Sequence, residues 1–378
     1  MIPFNKPCYT GNEDQYIQQA LGSSRISGSG QFSQQCEAWF ERKLDTRRAL
    51  LTASSTNALE MAALLLNIQP GDEVIMPSFT YVSTANAFAL RGAEIVFVDI
   101  NPETMNIDAD LIEQAITDKT KAIVPVHYAG VGCNMDEIMS LADHHQLFVV
   151  EDAAQGITST YRSQYLGTIG HLGTYSFHET KNVTSGGEGG LLLVNDEQLI
   201  EQAEMIRDRG TDRRQFRLGK VDEYSWVELG LGCWMSDLQA AYLWGQLEKI
   251  EQIQQDRKAS WNQYYQSLQK LEKKGLLELP VVPDNCQSNA HIFYLKTKNL
   301  EQRNQLIKHL AEQDIMAVFH YVPLHSSAGG KKFGRFVGQD KFTTQESERL
   351  IRLPLWYGMK RQTVDKVCQV ITEFLLSG

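Results

Sequence analysis

No run in this chain approaches the roughly 18 uncharged apolar residues of a membrane-crossing helix, and the opening Met1-Ile2-Pro3-Phe4-Asn5-Lys6-Pro7 lacks the apolar core of a secretory signal. A cytosolic protein is therefore expected. The 6 cysteines (Cys8, Cys36, Cys133, Cys233, Cys286, Cys368) form no CxxC pair and no Cys/His cluster, which argues against a disulfide framework and against a metal site. Positive charge is not in surplus: 36 Lys and Arg face 46 Asp and Glu, a net of −10, so the electrostatic footprint of a nucleic-acid binder is missing. No G-x-G-x-x-G opens a helix after the early strands, which speaks against a nicotinamide-dependent reductase. Internal repeats and low-complexity tracts are absent as well.

What is present is the make-up of an ordinary globular protein, 42% apolar and 22% charged over 378 residues, enough for a large core and a second, smaller one. From residue 50 to about 195, short β-branched runs alternate with helical patterns at the spacing of βαβ units, the pattern of a mostly parallel sheet covered on both faces. Strands are expected over Val74–Met76, Ile95–Asp99, Ala122–Val126, Phe148–Glu151, Thr174–Phe177 and Gly190–Val194. Helices are expected over Thr56–Leu66, Thr80–Leu90, Ala109–Ile116 and Asp136–His145. A long helical stretch from near Met235 reads as a strut into a second unit. After it come a strand (His291–Lys296), a helix (Arg303–Glu312), a strand (Met316–Tyr321) and two helices, the last with Val364, Val367, Ile371 and Phe374 on one face. The expected division is a large α/β domain over 1–250 and a small α+β domain over 251–378.

Ligands of open α/β sheets bind beyond the carboxyl ends of the strands, and three such ends carry unusual residues. Val150-Glu151-Asp152-Ala153-Ala154-Gln155 stops in two carboxylates. Tyr175-Ser176-Phe177-His178-Glu179-Thr180-Lys181 leads to a lysine and then to Gly186-Gly187-Glu188-Gly189-Gly190. Thr52-Ala53-Ser54-Ser55-Thr56 enters a helix with small hydroxyl residues. Taken one at a time, each has a plain structural explanation as a cap or a solvated loop side chain. Together they supply a lysine able to attack an aldehyde, a carboxylate able to hold a pyridinium nitrogen protonated, and a helix N-terminus able to bind phosphate. Tyr81, after Ser78-Phe79-Thr80, could lie flat on an aromatic ring. These are the parts that pyridoxal 5′-phosphate (PLP) needs.

The runs GDEVIMPSFTYVSTANA (71–87), VPVHYAG (124–130), VVEDAAQG (149–156), SFHETKNVTSGGEGG (176–190), WMSDLQAAYLWGQLE (234–248) and HYVPLH (320–325) resemble the DegT/DnrJ/EryC1/StrS sugar aminotransferases over nearly the whole chain. The resemblance implies an α/β PLP-dependent transferase of fold type I with a mostly parallel seven-stranded sheet, acting as a homodimer with its active site at the subunit interface. It implies Lys181 as the lysine that forms a Schiff base with PLP, with pyridoxamine 5′-phosphate as the aminated form. It implies Asp152 as the pyridinium partner, Gln155 near the 3-hydroxyl, Ser55, Thr56 and Ser176 at the phosphate, Tyr81 stacked on the ring and His178 beside the cofactor. His320, Tyr321 and His325 follow a small-domain strand where a substrate pocket is expected to close.

Arg213 belongs to a basic run (Arg207, Arg209, Arg213, Arg214, Arg217, Lys220) that reads either as a solvated loop or as a clamp for a nucleotide diphosphate. One departure stands out: Gly232 lies where many family members carry an Asn that reaches the partner subunit's phosphate, and Trp234 where Arg is common. The segments MIPFN, YVSTANAF, HETKN and HYVPLH are most similar to members that aminate dTDP-4-dehydro-6-deoxyglucose with L-glutamate. PLP-dependent dehydratases of the family carry His in place of the Schiff-base lysine, which Lys181 disfavours; a regulatory relative without turnover is the other reading. Trp226, Trp234 and Trp244 read equally as interface anchors or as buried residues.

Overall fold

A computed structural model describes residues 1–377. Helices α1 (Glu13–Leu21) and α2 (Gln31–Leu44) precede β1 (Arg48–Thr52), α3 (Ser55–Leu65), β2 (Glu73–Pro77), α4 (Val82–Ala89), β3 (Glu94–Val98) and β4 (Thr120–Ile123). There follow α5 (Met135–His145), β5 (Phe148–Asp152), the short pair β6 (Thr160–Tyr161) and β7 (Gln164–Tyr165), β8 (Leu172–Ser176) and β9 (Gly190–Val194). The chain continues through α6 (Ile200–Arg207), α7 (Arg213–Arg217), α8 (Asp237–Leu247) and α9 (Ile250–Glu272). It ends with β10 (Cys286–Gln287), β11 (Phe293–Lys296), α10 (Leu300–Glu312), β12 (Val318–Phe319), α11 (Ala328–Phe333), β13 (Gly334–Phe336), α12 (Thr343–Arg349), β14 (Leu350–Leu353) and α13 (Arg361–Ser377).

The main sheet has 8 strands in the order β1-β9-β8-β5-β4-β2-β3-β13. Only β9 runs against the others, pairing antiparallel with both β1 and β8. The run Leu191-Leu192-Leu193-Val194 is apolar on both faces because helices cover both sides of the sheet. One face packs Leu51, Ile75, Val96, Ile123, Val149, Tyr175 and Leu193 under α2, α5 and α8; the other packs Leu50, Val74, Ile95, Ala122, Val150 and Leu192 under α3, α4 and α6.

The sheet carries one strand more than the seven expected. The extra strand, β13, comes from the C-terminal part of the chain and pairs in parallel with β3, Gly334 opposite Ile95. A Cβ on Gly334 would overlap the Ile95 carbonyl, so the close pairing needs glycine there. The helix expected over Ala109–Ile116 is instead two 3₁₀ turns, Ala109–Leu111 and Glu113–Ala115, the first capped by the Asp108 carboxylate, which accepts the Asp110 N–H. β1 and β14 were not anticipated at all.

A second sheet, in the C-terminal part, has the order β11-β14-β12, all antiparallel, while β10 and β13 from the expected second unit pair with β6 and β3. Ile351 and Leu353 of β14 face a core with Phe293, Leu306, Leu310, Val364, Val367 and Ile371, as the stripe on the last helix requires. The strand expected over Met316–Tyr321 pairs only at Val318–Phe319, since His320 and Tyr321 leave the sheet to pack on Tyr128 of the large domain. The strut is two helices, α8 and α9, separated at Glu248–Lys249.

Candidate active site

Side chains alternate along a strand, so the two carboxylates that end β5 point to opposite faces. Glu151 is fully buried. Its Oε1 accepts N–H groups from Ile169 (2.7 Å) and Gly170 (2.6 Å), and its Oε2 accepts from Gly167 (2.7 Å) and pairs with His127 Nε2 (2.8 Å). The Cys133 N–H donates to His127 Nδ1 at 3.1 Å, which places the ring proton on Nε2, toward Glu151. Glu151 is thus an organising group inside the protein, with no edge left for a ligand.

Asp152 lies on the other face, the one covered by α3 and α4. Its Oδ2 accepts the Thr84 hydroxyl at 2.6 Å and its Oδ1 the Ala154 N–H at 3.1 Å. Thr80 Oγ1 stands 2.8 Å from Thr84 Oγ1, and since the single Thr84 proton goes to Asp152, Thr80 donates to Thr84. All three residues are buried.

Thr52, Asp152 and Ser176 end β1, β5 and β8 on this same face, at one edge of the sheet. The Ser54 hydroxyl caps α3 by accepting the Asn57 N–H at 3.1 Å, which leaves the N–H groups of Ser55 and Thr56, at the first helical positions, directed outward. Gly190 brings β9 against this turn so closely that a Cβ would overlap Ser54 and Ser55. Ser176, two strands from β1, is buried beside it.

Lys181 follows β8. Burial pushes its amine down to about 8; the Asp152 charge opposes this shift and that of Arg352 adds to it. His178 turns its Nδ1 to the Thr180 hydroxyl (2.9 Å) and N–H (3.2 Å), and its Nε2 lies 3.7 Å from Glu188. Gln155 accepts the Ala129 N–H at 2.7 Å and donates to the Tyr321 hydroxyl at 3.1 Å, joining the two domains. Tyr81 is 60% exposed at the head of α4, its ring 6.3 Å from that of Tyr321. His320 meets the Tyr128 hydroxyl at 3.1 Å.

A lysine amine titratable near 8, a carboxylate fixed by two donors, and an open helix N-terminus between two strand ends together form a donor set that fits PLP. Lys181 would hold its aldehyde, Asp152 its ring nitrogen, and Ser55, Thr56 and Ser176 its phosphate. A surface cavity of about 680 Å³ beside Arg25, Gln31, Arg42 and Trp244 is lined by neither a lysine nor a carboxylate and lies apart from this donor set.

Other sequence candidates divide. His325 has both ring nitrogens engaged, by the Ser78 hydroxyl (2.7 Å) and Asp340 (3.1 Å), and so fastens the small domain to the end of β2. In the basic run, Arg207 is buried against Glu37 and the Trp234 ring, and Arg214 pairs with Glu204. Arg213 lies 3.6 Å from Asp208 and stacks on Tyr224 at 4.6 Å, with Arg217 and Lys220 exposed nearby. The Arg209 side chain fills the space beside Gly232, its Nε 3.3 Å from where a Cβ would stand. Gly28 and Gly30 make room for Trp234 and Asp237, and the Asp237 carboxylate accepts the N–H groups of Phe32 and Ser33 at the start of α2; this glycine pair serves packing. Of the three tryptophans, Trp226 alone is largely exposed, at 74%.

Two residues that the motifs did not single out belong to this region, Thr84 and Arg352. Thr84 sits inside the quoted YVSTANA run, three residues after Tyr81. Arg352 carries no local sequence signal.

The family model for DegT/DnrJ/EryC1/StrS aminotransferases matches residues 7–372. GDP-perosamine synthase of Caulobacter vibrioides is 32% identical over 98% of this chain and 97% of its own, and the spore coat polysaccharide biosynthesis protein SpsC of Bacillus subtilis is 32% identical over 99% and 97%. The putative sugar aminotransferase Spr1654 of Streptococcus pneumoniae, solved in PLP and PMP forms, superposes with a TM-score of 0.91 in its PMP form, at 27% identity over 100% of both chains. The chain belongs to the DegT/DnrJ/EryC1/StrS aminotransferase family and is a PLP-dependent sugar aminotransferase.

Proposed function

We propose that the protein moves the amino group of L-glutamate to the 4-keto carbon of dTDP-4-dehydro-6-deoxyglucose, giving dTDP-4-amino-4,6-dideoxygalactose and 2-oxoglutarate for surface polysaccharide synthesis. The observation that carries the reaction class is the juxtaposition of a desolvated Lys181 with Asp152 at one sheet edge. Bound PLP supplies the electron sink. Lys181 would hold the cofactor's aldehyde, and its Nζ, an amine pushed down to about 8, would take a proton from the donor's α-carbon and give one to the sugar carbon. Asp152, oriented by the Thr84 and Ala154 donors, would face the ring nitrogen. Ser55, Thr56 and Ser176 bind the phosphate, Tyr81 covers the ring, and Gln155 fixes the cofactor's 3-hydroxyl edge.

The choice of dTDP and of the galacto product rests on the similarity of the MIPFN, YVSTANAF, HETKN and HYVPLH segments. Among the relatives, the name of GDP-perosamine synthase points to a GDP-linked sugar. On this reading His320 and Tyr321 bind the sugar and Arg213 its diphosphate. A homodimer would cover the exposed strip of Phe216, Leu218, Tyr224, Trp226, Val227 and Leu229. No helix among the described residues is long and apolar enough to cross a membrane.

The test is a panel of dTDP- and GDP-linked 4-keto sugars with glutamate, and assignment of C4 in the product by proton coupling constants. The dTDP substrate should be preferred, with galacto stereochemistry. Preference for GDP sugars, or a gluco product, would overturn the substrate assignment and leave the reaction class standing.

A further inference from the structure

The small sheet turns one face to the large domain. β14 alternates Ile351 and Leu353 toward its own helices with Leu350 and Arg352 toward the large domain, and in register with these are Lys296 and Tyr294 of β11 and Val318 of β12. Two cations therefore stand on the interdomain face, and they are treated differently. Lys296 is buried and neutralised by Glu346 (2.7 Å) and Glu278 (3.0 Å). Among the described residues, Arg352 has no carboxylate partner. Among those residues its one hydrogen bond runs from Nη2 to the Phe319 carbonyl at 3.2 Å, and its Nε is buried with no acceptor there. A guanidinium in such a place needs an anion to offset its desolvation, and its planar fork suits a carboxylate.

Arg352 is also linked to the segment that carries Lys181. Its guanidinium stacks on Phe4 at 4.7 Å, and the neighbouring Asn5 donates to the Glu179 carbonyl at 3.2 Å, two residues before Lys181. Around it stand Tyr294, Tyr128, His320 and Tyr321, linked by ring contacts of 5.7 Å between Tyr128 and Tyr294 and 5.6 Å between Tyr128 and His320. Burial and the nearby cations hold His320 well below its ordinary value and so uncharged, and burial pushes the Tyr128 and Tyr321 hydroxyls up, so none of these groups neutralises Arg352. Its charge is near enough to depress the Lys181 amine.

We infer that Arg352 is the anchor for a carboxylate of the amino donor, an unpaired cation on the interdomain wall waiting for the one substrate that brings an anion to the lysine. This rests on the transamination reading above. The keto sugar brings anions too, but its diphosphate is attached at C1, across the pyranose ring from the reacting C4. A donor carboxylate is bonded directly to the reacting α-carbon, or lies three bonds beyond it on the side chain.

The experiment compares holoenzyme carrying Arg352→Gln or Arg352→Lys with the parent protein in three measurements. Calorimetric binding of glutarate, an unreactive dicarboxylate, should weaken by about tenfold or more in Arg352→Gln, with Arg352→Lys intermediate. The donor half-reaction with glutamate, read by cofactor absorbance, should show the same loss, while the sugar half-reaction, started from the pyridoxamine form, stays within about twofold, as expected where only donor contacts are lost. L-alanine distinguishes the two carboxylates: an equal loss with alanine assigns the α-carboxylate, and an unchanged alanine rate assigns the side-chain carboxylate. Unchanged glutarate affinity, or equal loss in both half-reactions, would overturn the proposal. Failure of the parent protein to aminate its cofactor with glutamate, despite binding glutarate, would refute the donor reading and leave the carboxylate site standing.

Discussion

Thr84 gives its only hydroxyl proton to Asp152, at 2.6 Å, and receives one from Thr80 at 2.8 Å. The pair fixes which oxygen of the carboxylate faces outward. Thr84→Val keeps the shape of the side chain and removes the bond. A hydrogen bond to a charged group contributes roughly 1.5–3 kcal/mol, so kcat/KM should fall about tenfold to a hundredfold with the fold retained. Steady-state kinetics beside a thermal melt checks this; wild-type kinetics in a folded variant would show that Thr84 does not tune Asp152.

Lys181 titrates near 8 because burial disfavours its charged form. The neutral amine is the nucleophile, so the rate at which PLP attaches to the apoprotein should rise with pH through about 8 and then level off. An ordinary lysine would keep gaining reactivity up to about 10.4. Stopped-flow absorbance from pH 6 to 10 reads the midpoint, and a midpoint above about 9.5 would contradict the desolvated setting.

Glu151 receives three backbone N–H groups and faces His127. In Glu151→Gln the amide NH₂ must oppose one of those donors, leaving buried groups unpaired. The expected cost is about 3 kcal/mol, read as a lowered urea midpoint at unchanged slope. A shift under about 0.5 kcal/mol would mean that the loop at Gly167–Gly170 is held by other contacts.

All six cysteines are free and buried, and burial pushes Cys8 and Cys368 up to about 12 and Cys233 to about 11. Thiolates are the reactive species. The native protein should therefore release almost no chromophore from an aromatic disulfide reagent, and all six thiols should react in denaturant. Rapid labelling of a native cysteine would contradict the burial.

The parallel sheet is legible in the sequence because β2, β3, β5 and β9 carry apolar runs of three or four residues, and β4 and β8 recur between them at the spacing of βαβ units. β13 was not: Gly334-Arg335-Phe336 has no strand pattern and pairs only because β3 offers an open edge. β1 was obscured by Arg47 and Arg48, whose charges are matched by Glu197 and by Glu37, Glu41 and Glu204. At the site, Lys181, Asp152 and the Ser55–Thr56 turn stood out because each ends a strand or begins a helix. Arg352 did not, since what sets it apart is the lack of a partner in space. The basic run at 207–220 is a single cluster in sequence, whereas in space Glu37 and Glu204 draw Arg207 and Arg214 away from the rest.

The central claim is that Lys181 carries the cofactor, and reduction of the holoenzyme with borohydride followed by peptide mass mapping tests it most directly. The account predicts a single pyridoxyl adduct, on Lys181, and no adduct in Lys181→Ala. An adduct on another lysine, or none in a protein that still transaminates, would contradict it.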